Sequence, residues 1–135
     1  MRAACLAALA YFVLVFALAF ALGVARTLII APHIGETAAV LLEVPVLIVA
    51  SWIVVRRLLR NRSFTLPQRA VMGAIAFAMT MASEAMLSVI MRNQGVTDWA
   101  KAVATPLGLV GLAGQIAFAA MPILVGLAGM ARRPR

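Results

Sequence analysis

Long apolar runs, separated by short charged segments, make up most of the chain. An apolar α-helix needs about 20 residues to cross about 30 Å of membrane hydrocarbon. The runs do not alternate between apolar and polar positions, which favours helices over the strands of a membrane barrel. The pattern therefore predicts four transmembrane helices, over Ala3–Ala25, Thr37–Val55, Ala70–Met91 and Ala102–Met130.

The composition agrees with a lipid environment. Of the 135 residues, 65% are hydrophobic and 12% are charged, with a mean hydropathy of +1.07, whereas soluble domains are about 25% charged. A chain this small cannot bury so much apolar surface in water. We predict an all-α bundle of four transmembrane helices, a single integral membrane domain over residues 1–135. The short connections predict that successive helices are antiparallel neighbours.

Positive charge is distributed unequally between the two ends of the predicted bundle. With the N-terminus in the cytoplasm, nine Lys or Arg residues are cytoplasmic and three (Arg26, Arg92, Lys101) are outside. Cytoplasmic loops are enriched in these residues. The pattern predicts cytoplasmic N- and C-termini in a bacterial inner membrane. The predicted topology determinants are Arg2, Arg56, Arg57, Arg60, Arg62, Arg69, Arg132, Arg133 and Arg135.

The same charge distribution limits the partners. The net charge of +8 comes from clusters between apolar runs and not from one polar face, which argues against nucleic acid. The predicted partners are the lipid bilayer and the anionic lipid headgroups at its cytoplasmic face, where the arginines between Arg56 and Arg69 would lie. A homo-oligomer and a second membrane protein both stay open.

Two glutamates fall inside predicted helices, and a charge in hydrocarbon marks a candidate functional site. Glu43 and Glu84 lie at matching depth, about 10 Å from the outer surface by helical rise. Arg26 ends the first helix on the same side, and Gln115 lies near the middle of the fourth. We predict an intramembrane polar cluster of Arg26, Glu43, Glu84 and Gln115.

Two prolines and one loop complete the candidate features. Pro45 and Pro122 cannot donate an amide hydrogen bond, so each predicts a kink in its helix; the kink at Pro45 would free a carbonyl beside the glutamates. His33 and Glu36 lie in an apolar outer connection, which either extends the first helix or lies on the membrane surface. Both are possible contacts for protons or ions on the outer side.

Metal and cofactor chemistry has little support in the sequence. Cys5 has no second cysteine to pair with, and the single histidine cannot supply a haem or zinc ligand set. Met72, Met79 and Met86 recur every seven residues, a spacing that indicates packing more than a thioether metal site. We predict no cofactor and no metal.

Several short segments carry a resemblance to known proteins. They are Leu22-Gly23-Val24-Ala25-Arg26, Pro32, Gly35-Glu36, Leu42-Glu43-Val44-Pro45 and Ala82-Ser83-Glu84. With these segments, the chain resembles a group of small uncharacterised proteobacterial inner-membrane proteins. The resemblance covers most of the chain and implies a four-helix inner-membrane fold, but it brings no activity.

Two functions are compatible with these features. The leading hypothesis is a non-enzymatic inner-membrane protein, an accessory or structural subunit whose Arg and Glu cluster holds the helices in register. The alternative is a small transporter or channel that moves protons or cations through Glu43 and Glu84. An enzyme is disfavoured because no pair of nucleophile and base is visible.

Overall fold

A computed structural model describes residues 2–93 and 95–131, and these residues form helices and no strands. Four of the helical segments are long and apolar enough to cross a membrane: Arg2–Ile34, Glu36–Leu59, Leu66–Met91 and Pro106–Gly129. The predicted topology determinants Arg132, Arg133 and Arg135 lie outside the described residues. The coarse prediction, an all-helical chain with four candidate spans, is confirmed.

The first span is longer than predicted. Helix α1 covers Arg2–Ala25 and continues through a π-helical segment, Arg26–Ile30, into the short helix α2, Ala31–Ile34. The π turn is closed by the Ala31 amide, which donates to the Arg26 carbonyl. The chain then reverses at Gly35, whose φ of 84° is in the region that favours glycine. The apolar outer connection therefore extends the first helix.

The second and third spans also exceed their predicted bounds. Helix α3 covers Glu36–Leu59 and helix α4 covers Leu66–Arg92. Hydropathy windows stop at the first arginine, but a helix continues until its hydrogen bonds are capped, and arginine side chains can reach toward water from a helix end. At the start of α4, Thr65 and Gln68 form a reciprocal capping box, with N···O distances of 3.0 and 3.4 Å.

The fourth span begins a few residues later than the predicted start near Ala102. Residues Val96–Val103 form a separate amphipathic helix, α5, and the spanning helix α6 covers Pro106–Ala131. A residue before proline avoids the α conformation, and proline itself is well suited to the first helical position. Thr105 caps the new helix, because its hydroxyl accepts a hydrogen bond from the Gly108 amide at 3.1 Å. Pro106 therefore separates an outer helix from the spanning one.

The four long helices are arranged in a ring in the order α1, α3, α6, α4. Successive helices are neighbours for α1 with α3 and for α4 with α6, as predicted. The prediction is wrong for α3 and α4, which lie diagonally opposite without packing contact among the described residues. In a ring of four helices whose neighbouring axes are about 8–10 Å apart, the diagonal is only about 13 Å. The connection over residues 60–65 can span about 20 Å, so it is long enough to join two diagonally placed helices.

The polar ends of the bundle differ in charge. We call the end that carries Arg56, Arg57, Arg60, Arg62 and Arg69 the arginine end; the acidic end carries Glu36, Glu43, Glu84 and Asp98. Large apolar side chains on the outside are widely exposed, including Leu28 and Ile90. Water-soluble monomers rarely expose apolar surfaces of this extent. The chain therefore has the form of a multi-pass membrane protein.

The dry core lies in the half toward the arginine end. Tyr11, Val55, Met72 and Ala76 are completely buried there. Helices α4 and α6 approach most closely at Gly73, where an added Cβ would be 1.9 Å from the Ala119 carbonyl oxygen. Only a residue without a side chain fits this crossing.

Candidate functional site

The first polar pair joins α1 to α3. Arg26 Nε lies 2.7 Å from Glu43 Oε2, and an outer nitrogen of the same guanidinium lies 3.7 Å from Glu36 Oε1. The Nε–H does not point straight at the Glu43 carboxylate, so this contact is an ion pair without an aligned hydrogen bond. The side chains of Arg26 and Glu43 are 19% and 16% exposed, against 69% for Glu36. Arg26 opens the π-helical segment, a distortion frequent at functional sites.

The second polar pair joins α4 to α6. Gln115 Nε2 donates a short hydrogen bond to Glu84 Oε1, and both side chains are part-buried. Thr80 and Ser88 lie one helical turn on either side of Glu84, so the three oxygen-bearing side chains share a face of α4. Thr80 donates to the Ala76 carbonyl at 3.0 Å.

A cavity of about 870 Å³ lies between the helices, and both polar pairs line it. Its rim includes Glu36, Met91 and Trp99, and its deepest residues include Ser51 and Phe118. From Glu36 to Ser51 the helical rise is about 22 Å, roughly two-thirds of the hydrocarbon thickness. The four residues of the predicted cluster thus lie along one half-open cavity, as two pairs.

The cavity is closed at its inner end by an aromatic contact. The Tyr11 and Phe118 rings stack with centroids 4.4 Å apart, and the Tyr11 hydroxyl donates to the Phe118 carbonyl at 2.8 Å. That carbonyl needs an outside donor because Pro122, four residues later, has no N–H. Tyr11 was not among the predicted site residues. A buried tyrosine and a mid-helix proline that frees one carbonyl were the available signals.

The charge of the cavity is opposite to that of the chain. Its lining contains three carboxylates, Glu36, Glu43 and Glu84, and one guanidinium, Arg26, among the described residues. The formal sum is −2, in a chain of net charge +8. Helix α5, near the rim, adds Asp98 and Lys101, whose charges cancel. Fixed charges of one sign in a low-dielectric cavity concentrate counter-ions of the other.

The remaining predicted residues, His33, Pro45 and Pro122, are not among the residues that line the cavity. His33 is exposed in α2, where its Nδ1 hydrogen-bonds the Ile29 carbonyl at 2.7 Å. Pro45 is also exposed, on the outer surface of an uninterrupted α3. Pro122 is fully buried inside α6. Of the two prolines, Pro122 is therefore the one that leaves a carbonyl, that of Phe118, to accept a hydrogen bond from another helix.

Among the topology determinants, Arg69 has additional contacts. Its Nε donates to the Phe64 carbonyl at 3.1 Å and its NH1 nitrogen to the Pro122 carbonyl at 3.2 Å. An added Cβ on Gly126 would be 2.8 Å from Arg69 Cδ, so the glycine makes room for this side chain. Arg56, Arg57, Arg60 and Arg62 are exposed. Arg69 thus connects the loop to α6 through hydrogen bonds, whereas the side chains of the other four arginines are exposed.

Comparison with known proteins does not identify the class of this protein. Searches found no matching family model, no similar curated protein and no similar solved structure. The resemblance to small proteobacterial membrane proteins stays a prediction. In the part of the chain that the structure describes, no three His, Cys, Asp or Glu side chains are grouped to hold a metal ion. Fold and site define a helical multi-pass membrane protein with a half-open acidic cavity.

Proposed function

We propose that the chain is a small membrane transport protein that admits a proton or another cation into the cavity from the acidic end. The cavity carries this proposal: it extends through about two-thirds of the hydrocarbon, and those of its lining residues that the structure describes sum to −2 in formal charge. A purely structural polar cluster has no need of such a volume. The stacked Tyr11 and Phe118 close the far end, which favours a transporter with alternating access over an open channel.

Glu84 is the proposed binding group. It lies on the same face of α4 as the hydroxyl groups of Thr80 and Ser88, and all three line the cavity. Carboxylate and hydroxyl oxygens suit hard cations, and a carboxylate also accepts a proton. Glu43 lies 2.7 Å from Arg26 at the wall of the cavity. Glu43 would hold Arg26 at the wall, and Glu84 would bind the cation.

The proposed orientation places the arginine end in the cytoplasm. The distribution of nine against three Lys or Arg residues supports this direction of insertion. Both termini are then cytoplasmic, and the cavity opens outward. A bacterial inner membrane, with anionic lipid on its cytoplasmic side, is the proposed location.

Flux measurements test the proposal. Purified chain is reconstituted into liposomes that enclose a pH-sensitive dye, and the rate of proton uptake is measured with and without opposing Na⁺ or K⁺ gradients. Glu84→Gln keeps the size and removes the charge, so we expect uptake to fall by roughly tenfold or more. Asp98→Asn is the matched control, because Asp98 is an exposed carboxylate at the same end that does not line the cavity. Equal rates in Glu84→Gln and wild type would contradict the proposal.

A structural role is the second candidate, favoured by the way each polar pair joins two helices. Arg26 with Glu43 ties α1 to α3, and Gln115 with Glu84 ties α4 to α6. Folded yield in detergent separates the two functions. Loss of yield in Glu43→Gln and Glu84→Gln, with no flux in the wild type, supports the structural role. Normal yield with lost flux supports transport.

A further inference from the structure

A second cavity, of about 600 Å³, lies at the arginine end between α3, the 60–65 connection, α4 and α6. Four arginines line it: Arg56, Arg60, Arg62 and Arg69. Ser63 and Thr65 add hydroxyl groups, and the N-terminus of α4, with its partial positive charge, lies at the same place. We call this cavity the arginine pocket.

The chain has no acidic side chain at the arginine pocket among the residues that the structure describes. Its only four acidic residues are all at the opposite end of the bundle. Arg69 donates to two backbone carbonyls, which carry no net charge. Four guanidinium groups gathered around one cavity repel one another unless an anion lies between them. An anion from outside the chain would therefore reduce this repulsion.

The walls of the pocket indicate what kind of anion fits. Guanidinium groups match phosphate oxygens in pairs, more closely than ammonium groups do. Trp52 lines the pocket about one helical turn deeper than Arg56, and amphipathic aromatic rings of this kind are common at the level of lipid headgroups. The exposed Val49 and Ile53 precede Arg56 by seven and three residues, so they form an apolar stripe on α3 that leads to the pocket.

We propose that the arginine pocket binds the phosphate of an anionic membrane lipid, with the lipid's acyl chains along the apolar stripe of α3. The charge of the pocket selects an anion, and the stripe selects a lipid over free phosphate. This site is independent of the cation cavity at the other end. It differs from a general attraction of basic loops to acidic membranes because Arg57, next to Arg56, does not line the pocket.

Trp52 provides a direct measurement of binding. The chain has two tryptophans, so in a Trp99→Phe background only Trp52 emits. The full-length protein, in nonionic detergent, is titrated with phosphatidylglycerol, with phosphatidylcholine and with inorganic phosphate. We expect a saturable change in Trp52 emission with phosphatidylglycerol, no comparable change with phosphatidylcholine, and at least roughly tenfold weaker binding of inorganic phosphate.

Two charge-matched double variants separate a defined pocket from diffuse attraction. Arg60→Gln with Arg62→Gln removes two pocket arginines and should weaken phosphatidylglycerol binding by roughly tenfold or more. Arg2→Gln with Arg57→Gln removes two exposed arginines from the same end outside the pocket, and should weaken binding by less than about threefold. Equal losses in the two variants would overturn the proposal. Inorganic phosphate that binds as tightly as the lipid would overturn the assignment to a lipid.

Discussion

The two halves of the bundle use polar groups in opposite ways. Toward the arginine end, the Tyr11 hydroxyl satisfies the one carbonyl that Pro122 leaves free, and buried apolar side chains pack around this bond. Toward the acidic end, the polar side chains line a cavity that stays half open. Unsatisfied polar groups are costly in a dry core but tolerable beside water. The comparison separates a packed half from a half with a polar cavity, and in the proposed function it is the second half that admits the ligand.

Glycine substitutions should separate the two halves most clearly. Gly73→Ala, in the dry half, would place its Cβ 1.9 Å from the Ala119 carbonyl oxygen. We expect α4 and α6 to be forced apart, with a loss of about 3 kcal/mol in the free energy of unfolding. Gly111→Ala is the matched control in the cavity half, since an added Cβ there has no neighbour within 4 Å. Denaturation in detergent measures the free energy of unfolding of both variants. Equal losses in the two variants would contradict the distinction between the halves.

The bond between Tyr11 and Phe118 should contribute the next largest effect. Tyr11→Phe leaves the buried Phe118 carbonyl without its donor, so we expect a loss of about 1–3 kcal/mol in unfolding free energy. Pro122→Ala restores an N–H that can donate to the same carbonyl within α6. In that background, Tyr11→Phe should cost markedly less, as a double-mutant cycle would show. If the two substitutions change the free energy of unfolding additively, the contribution of the hydrogen bond between Tyr11 and Phe118 does not depend on Pro122.

The rates at which introduced cysteines react should show where the boundary between the halves lies. Of the substitutions considered, these should have the smallest effect on stability. Ser88→Cys, Thr80→Cys and Ala76→Cys follow one face of α4 from the cavity into the dry core. The exposed Cys5 is first replaced by alanine. A small membrane-impermeant thiol reagent, added outside intact cells, should react with the cysteine at position 88 at least roughly tenfold faster than with the one at position 76.

The cysteine at position 80 should give an intermediate rate. Because the reagent reaches the chain only from outside, the same experiment tests the proposed direction of insertion. Reaction at position 88 only after the cells are permeabilised would place the cavity on the cytoplasmic side. Equal rates at positions 88 and 76 would mean that water extends past the Tyr11 and Phe118 contact.

The candidate site was predicted in part from the sequence. Arg26, Glu43, Glu84 and Gln115 were predicted to form one cluster, because ionisable and amide groups are rare inside apolar helices. Their pairing was not predictable, because it depends on how each helix is rotated about its axis. The π-helical segment that begins at Arg26 changes this rotation, and hydropathy carries no signal for it. Tyr11 was missed for a similar reason: its partner is a backbone carbonyl 107 residues away.

The sequence by itself determined that four helices are apolar and long enough to span a membrane, and it determined the separation of basic from acidic residues. Both are properties of continuous segments, because a span must be long and apolar enough to cross the hydrocarbon and its flanking charges set its direction. Only the tertiary structure decided that α3 and α4 lie diagonally and that the polar pairs face a cavity. These features arise from packing between distant segments, where close contacts at glycines such as Gly73 choose among arrangements of equal hydropathy.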